Sequence, residues 1–164
     1  MRWNELKDEA CPVARGLSVV GDRWTMLVLR DCFRGVRRFE AFQKRLGITR
    51  HVLADRLRKL EEAGVLERRL YQSRPPRHEY RLTEKGLALH PVLVTLVAWA
   101  EAWEPKEGSV SRLVAAGTGQ PVEPVLVDAR TGERVTHHSL SRSAVGPELE
   151  PGRADASDRG GPRG

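Results

Sequence analysis

Arg38-Phe39-Glu40-Ala41-Phe42-Gln43-Lys44-Arg45-Leu46-Gly47-Ile48-Thr49-Arg50-His51-Val52-Leu53-Ala54-Asp55-Arg56-Leu57-Arg58-Lys59-Leu60 is the stretch from which the rest of the chain is read. Phe39, Phe42 and Leu46 recur at i, i+3 and i+7, which predicts a short amphipathic helix. Gly47-Ile48 predicts a tight turn, and Thr49 is a good N-cap for a second helix. Leu53, Leu57 and Leu60 form the apolar stripe of that helix over residues 50–63, and Gly64 supplies its stop. At about 100° per residue, His51, Asp55, Arg58 and Glu62 lie opposite that stripe. Ala54 and Lys59 flank them, and Arg50 stands at the exposed N-terminal end. Arg56 lies nearer the stripe, so it is expected to snorkel over the core or to pair with an acid.

On the N-terminal side, Pro12 suits the first turn of a helix, where its missing N–H costs nothing. Val13, Leu17 and Val20 share a face, and Gly21 ends the segment. Asp22 is the expected N-cap of a further helix, Trp24 to Phe33, apolar around much of its circumference and therefore central. On the C-terminal side, Val65–Tyr71 and His78–Leu82 read as short strands. Residues 72–77 between them read as a hairpin loop, because Pro75 and Pro76 do not suit a paired strand. Thr83 is expected to cap a last helix running to about Glu104 and kinked by Pro91. Two helices joined by a tight turn and followed by a basic hairpin make a winged helix-turn-helix. The fold class is mainly α with a small β-hairpin wing, plus a C-terminal extension of weak β character and a disordered end.

The 164 residues carry a net charge of +6. Residues 34–85 hold fifteen basic and seven acidic side chains, so the excess sits on the helix-turn-helix and wing. A basic block on an otherwise neutral chain is the electrostatic footprint of a polyanion binder. All nine aromatic residues precede residue 104, whereas fifteen of the 25 Gly and Pro residues lie beyond it. The expected organisation is a working domain over 8–104, a linker over 105–121, a small hairpin-like extension over 122–147 and a disordered tail over 148–164. No apolar run is expected to serve as a membrane span, no secretion signal is visible, and two cysteines do not make a disulfide scaffold. The expected compartment is the cytoplasm.

A helix of this kind fits the major groove, with its N-terminal residues at the base edges. The candidate base-reading residues are Arg50, His51, Ala54, Asp55 and Arg58. Arg50 and Arg58 suit guanine, and Ala54 suits a thymine methyl. Asp55 has three readings: accepting from a cytosine amine, orienting an arginine, or repelling wrong sites. Arg37, Arg38, Lys44, Arg45 and Lys59 are candidate phosphate contacts, and Arg74 and Arg77 arm the wing for the minor groove or the backbone. Leu89, Val92, Leu93, Leu96, Val97, Ala100 and Trp103 offer more apolar surface than one small domain can cover, so a homodimer is expected. Trp99, beside Trp103 at i, i+4, reads as dimer packing too. A twofold dimer sets two reading helices about 34 Å apart on a pseudo-palindromic duplex.

The chain resembles the HxlR-type winged helix-turn-helix transcriptional regulators of bacteria and archaea. Cys11-Pro12, Gly21-Asp22-Arg23-Trp24, Arg38-Phe39 and Gly47-Ile48-Thr49 carry the resemblance. So do Leu53, Leu57 and Leu60, then Glu61, Gly64 and Arg68, then Arg74-Pro75, Tyr80, Leu82-Thr83 and Gly86, and last Pro91-Val92-Leu93 with Trp99. It spans about residues 8–104. The resemblance implies a homodimer that binds DNA near promoters and represses or activates. It also implies that the first helix, with Val13 and Leu17, joins the last in the dimer, and that Cys11 stands where some members keep an oxidation sensor. Cys32 reads as inert core.

No His or Cys spacing suits a metal, no phosphate loop or nucleophile elbow occurs, and no cofactor or catalytic constellation is expected. His137 and His138, adjacent in a strand-like segment, are expected on opposite faces. Two other readings stay open: a MarR- or PadR-like regulator answering a small ligand, and a winged-helix protein–protein adaptor without DNA specificity.

Overall fold

The computed structural model describes residues 3–107 and 113–141. The contacts divide into one unit up to Pro124 and a second from Val125. The tail expected over 148–164, with the last residues of the expected extension, lies outside the described residues.

The first unit opens with a 3-10 turn, Trp3–Asp8, and continues with α1 (Pro12–Val20), α2 (Arg23–Phe33), α3 (Phe39–Leu46) and α4 (Arg50–Glu62). Single side chains set most of the helix starts. Pro12 opens α1. Asp22 Oδ1 accepts from the backbone N–H groups of Trp24 (2.9 Å) and Thr25 (3.2 Å) to cap α2. Thr49 Oγ1 accepts from Val52 N (3.4 Å) to cap α4. Gly47 ends α3 at φ +64°, a left-handed conformation that favours glycine and lets α4 leave at once.

The hairpin comes next as β1 (Leu66–Ser73) and β2 (Pro76–Leu82). It is longer, and its turn tighter, than the sequence suggests. Ser73 pairs with Pro76, so the connection is Arg74-Pro75 alone rather than residues 72–77. Pro76 is tolerated because it is the first residue of its strand, where a missing N–H breaks little of the ladder. The register shifts between Leu70 and Gln72, leaving Tyr71 bulged out of the pairing. Tyr80 N donates to Arg37 O (2.8 Å) and Arg38 bridges Glu79, so the residues before α3 line one edge of the hairpin.

The expected single last helix is two: α5 (Glu84–Leu87) and α6 (His90–Trp103). Pro91 does not kink a continuous helix; it stands in the first turn of α6, where it costs no hydrogen bond. By length and composition, residues 84–103 would suffice to cross a membrane, which the sequence reading did not expect. The break falls within that stretch. One side of α6 is used internally: Leu89 and Leu93 pack against the core, and His90 stacks on Phe33 with ring centroids 4.9 Å apart.

The core is Val28 and Leu29 of α2, Phe42 of α3, Ile48, the Leu53/Leu57/Leu60 stripe of α4, and Val65 and Leu66 at the start of the wing. Burying such side chains stabilises by roughly 1.5–3 kcal/mol each, so the stripe fixes which face of α4 is turned outward. One buried charge was not expected. Asp31, fully buried in α2, is bound by Arg30 (2.9 Å) and by Arg45 of α3 (3.2 Å).

Thr83 joins the pieces. Its Oγ1 donates to Gly64 O (2.7 Å) and accepts from Gly86 N (3.1 Å). A Cβ on Gly86 would lie 2.3 Å from Val65 O, so only glycine lets α5 approach this closely. Residues 113–121, within the segment expected as linker, carry a small turn in which Val114 bridges Pro121.

In the second unit Val127 bridges Arg134, and Asp128 N donates to Glu133 O (2.9 Å) around a turn whose Gly132 has φ +74°. His137 and His138 do not point apart. They sit in a turn rather than a strand, and their rings lie 3.7 Å from each other.

Candidate nucleic-acid interface

The Leu53/Leu57/Leu60 stripe turns Arg50, His51, Ala54, Arg58 and Lys59 outward, and all five are exposed. Asp55 is half-buried among them, with both oxygens engaged. Oδ1 accepts from Arg58 Nη2 (2.6 Å), and Oδ2 lies 2.9 Å from Arg56 Nη1 and 3.0 Å from Lys59 Nζ. Arg58 Nη1 reaches Glu62 (2.9 Å) on the next turn of the helix. Burial by itself would raise the Asp55 carboxyl. Hydrogen bonds from Lys59 and Arg58, with the Lys59 and Arg56 charges, outweigh it and hold the group below the usual carboxylate range. Hydrogen bonds to Asp55 and Glu62 likewise raise the Arg58 guanidinium.

Arg56 pairs with acids, as its position on the helix suggests. Its Nε lies 2.9 Å from Asp22 Oδ1, but the N–H is not aimed at that oxygen, so the contact is an ion pair without a hydrogen bond.

Between the N-terminal ends of α3 and α4 and the inner face of the wing runs a groove of about 660 Å³. Arg38, Arg50, Arg68 and Arg77 line it together with His78 and a single acid, Glu40. Aromatic rings seat two of these cations. Arg38 lies 4.6 Å from the Tyr71 ring centre and Arg50 4.7 Å from that of Phe39. Tyr80 stands in the wall, its phenol raised by burial against the opposing charge of Arg68. It stays neutral and able to donate.

The structure therefore brings Arg38, Arg50 and Arg77 of the predicted set together and adds Arg68, Tyr71 and Tyr80. Tyr71 is missed because the bulge breaks the wing's alternation there, whereas Arg68 and Tyr80 pair in regular register and are missed because a charged residue stands where the inward face would be read as apolar. A strand that carries Leu66 into the core delivers Arg68 to the same face two residues later, where the core has ended. That period of two was the available signal.

The other predicted residues are placed differently. Arg45 is committed to Asp31, and Lys59 to Asp55. Arg37 is exposed and lines the opposite side of the hairpin with Glu67 and Arg69. Lys44 is exposed on α3, and Arg74 sits at the tip of the wing, its carbonyl accepting from Gln72 Nε2 (3.0 Å).

Of the residues expected in a dimer, Leu89 and Leu93 serve the domain's own core, and Val97 and Ala100 are half-buried. Val13, Leu17, Val92, Leu96, Trp99 and Trp103 are exposed, Val13 at 60 % and Trp103 at 74 %. Positions 92, 96, 99 and 103 make one stripe along α6.

The sequence model of the HxlR-like helix-turn-helix family matches residues 19–108. The chain belongs to that family. Relatives of this HxlR-like chain include an uncharacterised HTH-type transcriptional regulator of Mycobacterium tuberculosis, 42% identical over 141 residues, covering 85% of this chain and 86% of the relative. Another, from Bacillus subtilis, is 37% identical over 109 residues, 66% of this chain and 83% of its own length. A crystal structure of PA1607, described as a candidate transcription factor, superposes with a TM-score of 0.76 at 43% identity, covering 84% of this chain and 96% of that one. The redox regulator HypR in its reduced form gives 0.53 at 34% identity over 56% of this chain and 92% of its own. The protein is thus a transcriptional regulator with a helix-turn-helix DNA-binding domain, and not an enzyme.

Proposed function

We propose that this HxlR-like regulator binds double-stranded DNA sequence-specifically as a homodimer in the cytoplasm. Its reading helix α4 lies in the major groove, and its wing lies along the adjacent backbone or minor groove. The observation that carries this reading is the groove of four arginines between the N-terminal ends of α3 and α4 and the hairpin, with Arg50 at the start of α4's exposed face. A phosphodiester track entering there is flanked by the base-reading residues Arg50, His51, Ala54 and Arg58 on one side and by Arg74 and Arg77 on the other. Asp55 serves this face through its neighbours, since both its oxygens are occupied. Lys44, Arg37 and Arg38 take further phosphates, while Arg45 steadies α3 through Asp31.

The stripe of Val92, Leu96, Trp99 and Trp103, with Val13 and Leu17, supplies the dimer surface. Exposed apolar side chains in such a row mark a surface that another protein covers. Selection of bound duplexes from a random pool tests both halves. The expected sites carry twofold symmetry, with half-sites about one helical turn apart. Dimers that enrich no sequence at low salt would overturn DNA reading in favour of the adaptor.

A redox input is a second reading, favoured by the exposure of Cys11 immediately before α1, the helix that carries Val13 and Leu17. HypR, a redox regulator, shares the fold. Equal DNA affinity before and after mild oxidation would remove this input.

A further inference from the structure

A carboxylate in the middle of a face that meets a polyanion lowers affinity for every sequence alike. Asp55 occupies that position on α4 with Arg56, Arg58 and Lys59 around it. We propose that Asp55 is a specificity-determining positioning residue: it fixes the Arg58 guanidinium before DNA arrives, and is itself anchored through Arg56 to Asp22 at the N-cap of α2. The proposal rests on the reading in which Arg58 contacts a base.

Two observations and one general principle carry it. Arg58 is gripped from both directions along the helix, its Nη2 by Asp55 three residues before and its Nη1 by Glu62 four residues after. A guanidinium has five N–H donors in one plane, so two such bonds fix that plane and leave three donors for a partner. A paired contact to guanine needs a fork held in this manner.

The grip also has an origin outside α4. Arg56, whose side chain is 21% exposed, pairs with Asp55 Oδ2 and with Asp22 Oδ1, and Asp22 is tied by two backbone N–H groups at the start of α2. The carboxylate is therefore held in place, and Arg58 adjusts to it. Finally, exposed ion pairs contribute little to stability. Their effect here is to remove rotamer freedom that Arg58 would otherwise lose on binding and to penalise duplexes that offer only phosphates.

The test uses the full chain with Asp55→Asn, Asp22→Asn and Arg58→Ala. Affinity is measured for a selected site and for random duplex across a salt series, with the melting temperature recorded alongside. Asparagine caps a helix as well as aspartate does, so Asp22→Asn removes the charge and keeps the cap. With Asp55→Asn, random duplex binds more tightly and with a steeper salt slope, because Lys59 is released toward phosphates while Arg56 stays paired with Asp22. The ratio of selected to random affinity falls about 3- to 10-fold. Asp22→Asn lowers the ratio in the same direction by a smaller factor at nearly unchanged melting temperature. Arg58→Ala relaxes selectivity at one base position by about 5- to 150-fold.

An unchanged ratio in Asp55→Asn, while Arg58→Ala relaxes one position, overturns the positioning role and leaves base reading intact. Loss of both affinities in Asp55→Asn with a lowered melting temperature also overturns it, since Asp55 then acts only through the fold. Full selectivity at every position in Arg58→Ala overturns the base-reading role and the proposal with it.

Discussion

Arg68→Ala is the perturbation that best isolates the groove, because Arg68 is the one lining arginine absent from the predicted DNA contacts. Its side chain is about half exposed, and its closest acid, Glu61, stands at 3.8 Å, beyond hydrogen-bond reach. Its other partner is Tyr80 in the groove wall, so its removal acts mainly on the groove and its lining. Each phosphate neutralised on duplex DNA contributes about −0.9 to the slope of log affinity against log salt. Four lining arginines per protomer contribute about −7 in a dimer and about −3.6 in a monomer. Arg68→Ala should make the slope shallower by about 1.8 if a dimer binds and by about 0.9 if a monomer does. Between 50 and 200 mM salt, the groove's share of a dimer's affinity loss then drops from roughly 10⁴-fold to roughly 10³-fold. Fluorescence anisotropy with a labelled duplex at five or six salt concentrations measures the slope directly. The loss should be equal for selected and random sequences, since phosphates carry no sequence information. An unchanged slope would show that the backbone does not pass through this groove. A loss confined to one sequence would show that Arg68 reads a base instead.

The packing sets further outcomes. Gly86→Ala forces a Cβ to within 2.3 Å of Val65 O and should cost about 2–3 kcal/mol or more, seen as a melting point lower by roughly 10 °C or more. Gly16→Ala in α1 meets nothing within 4 Å and should raise stability by roughly 0.5–1 kcal/mol; equal melting points for the two variants would refute the close approach of α5. Leu96→Glu places a charge on the exposed stripe of α6 and should halve the mass in sedimentation while leaving helix content unchanged; an unaltered mass would move the dimer surface elsewhere. Burial, then the Asp31 charge, push the Cys32 thiol up to about 12, while Cys11 is exposed, so a thiol reagent at pH 8 should label one cysteine per folded chain and two after unfolding. Two labels in the folded protein would contradict the packing of α2.

The local punctuation of this chain was readable because each signal acts within a few residues. Asp22 and Thr49 cap helices by bonding N–H groups two or three residues ahead. Gly47 turns because glycine adopts a positive φ without steric cost. The sequence suggests a shorter wing because Pro75 and Pro76 look equivalent in it, and only the pairing of Ser73 with Pro76 shows which of them begins a strand. The sequence suggests one kinked helix because Thr83 and Pro91 both suit a helix; α5 ends at Leu87, four residues before Pro91, where the proline ring would meet the carbonyl, and α6 starts afresh.

The sequence by itself determined the order of elements, the face of α4 that leaves the core, and the concentration of positive charge on the helix-turn-helix and wing. These depend on periodicity, capping and composition, which are properties of neighbouring residues. The tertiary structure alone decided which cations share a groove, that Asp31 is buried between Arg30 and Arg45, and that Asp22 reaches Arg56. It also decided which side of α6 remains uncovered. Such relations depend on which side chains of different elements meet when the elements pack, and side-chain spacing along one helix carries no record of the neighbour it will meet.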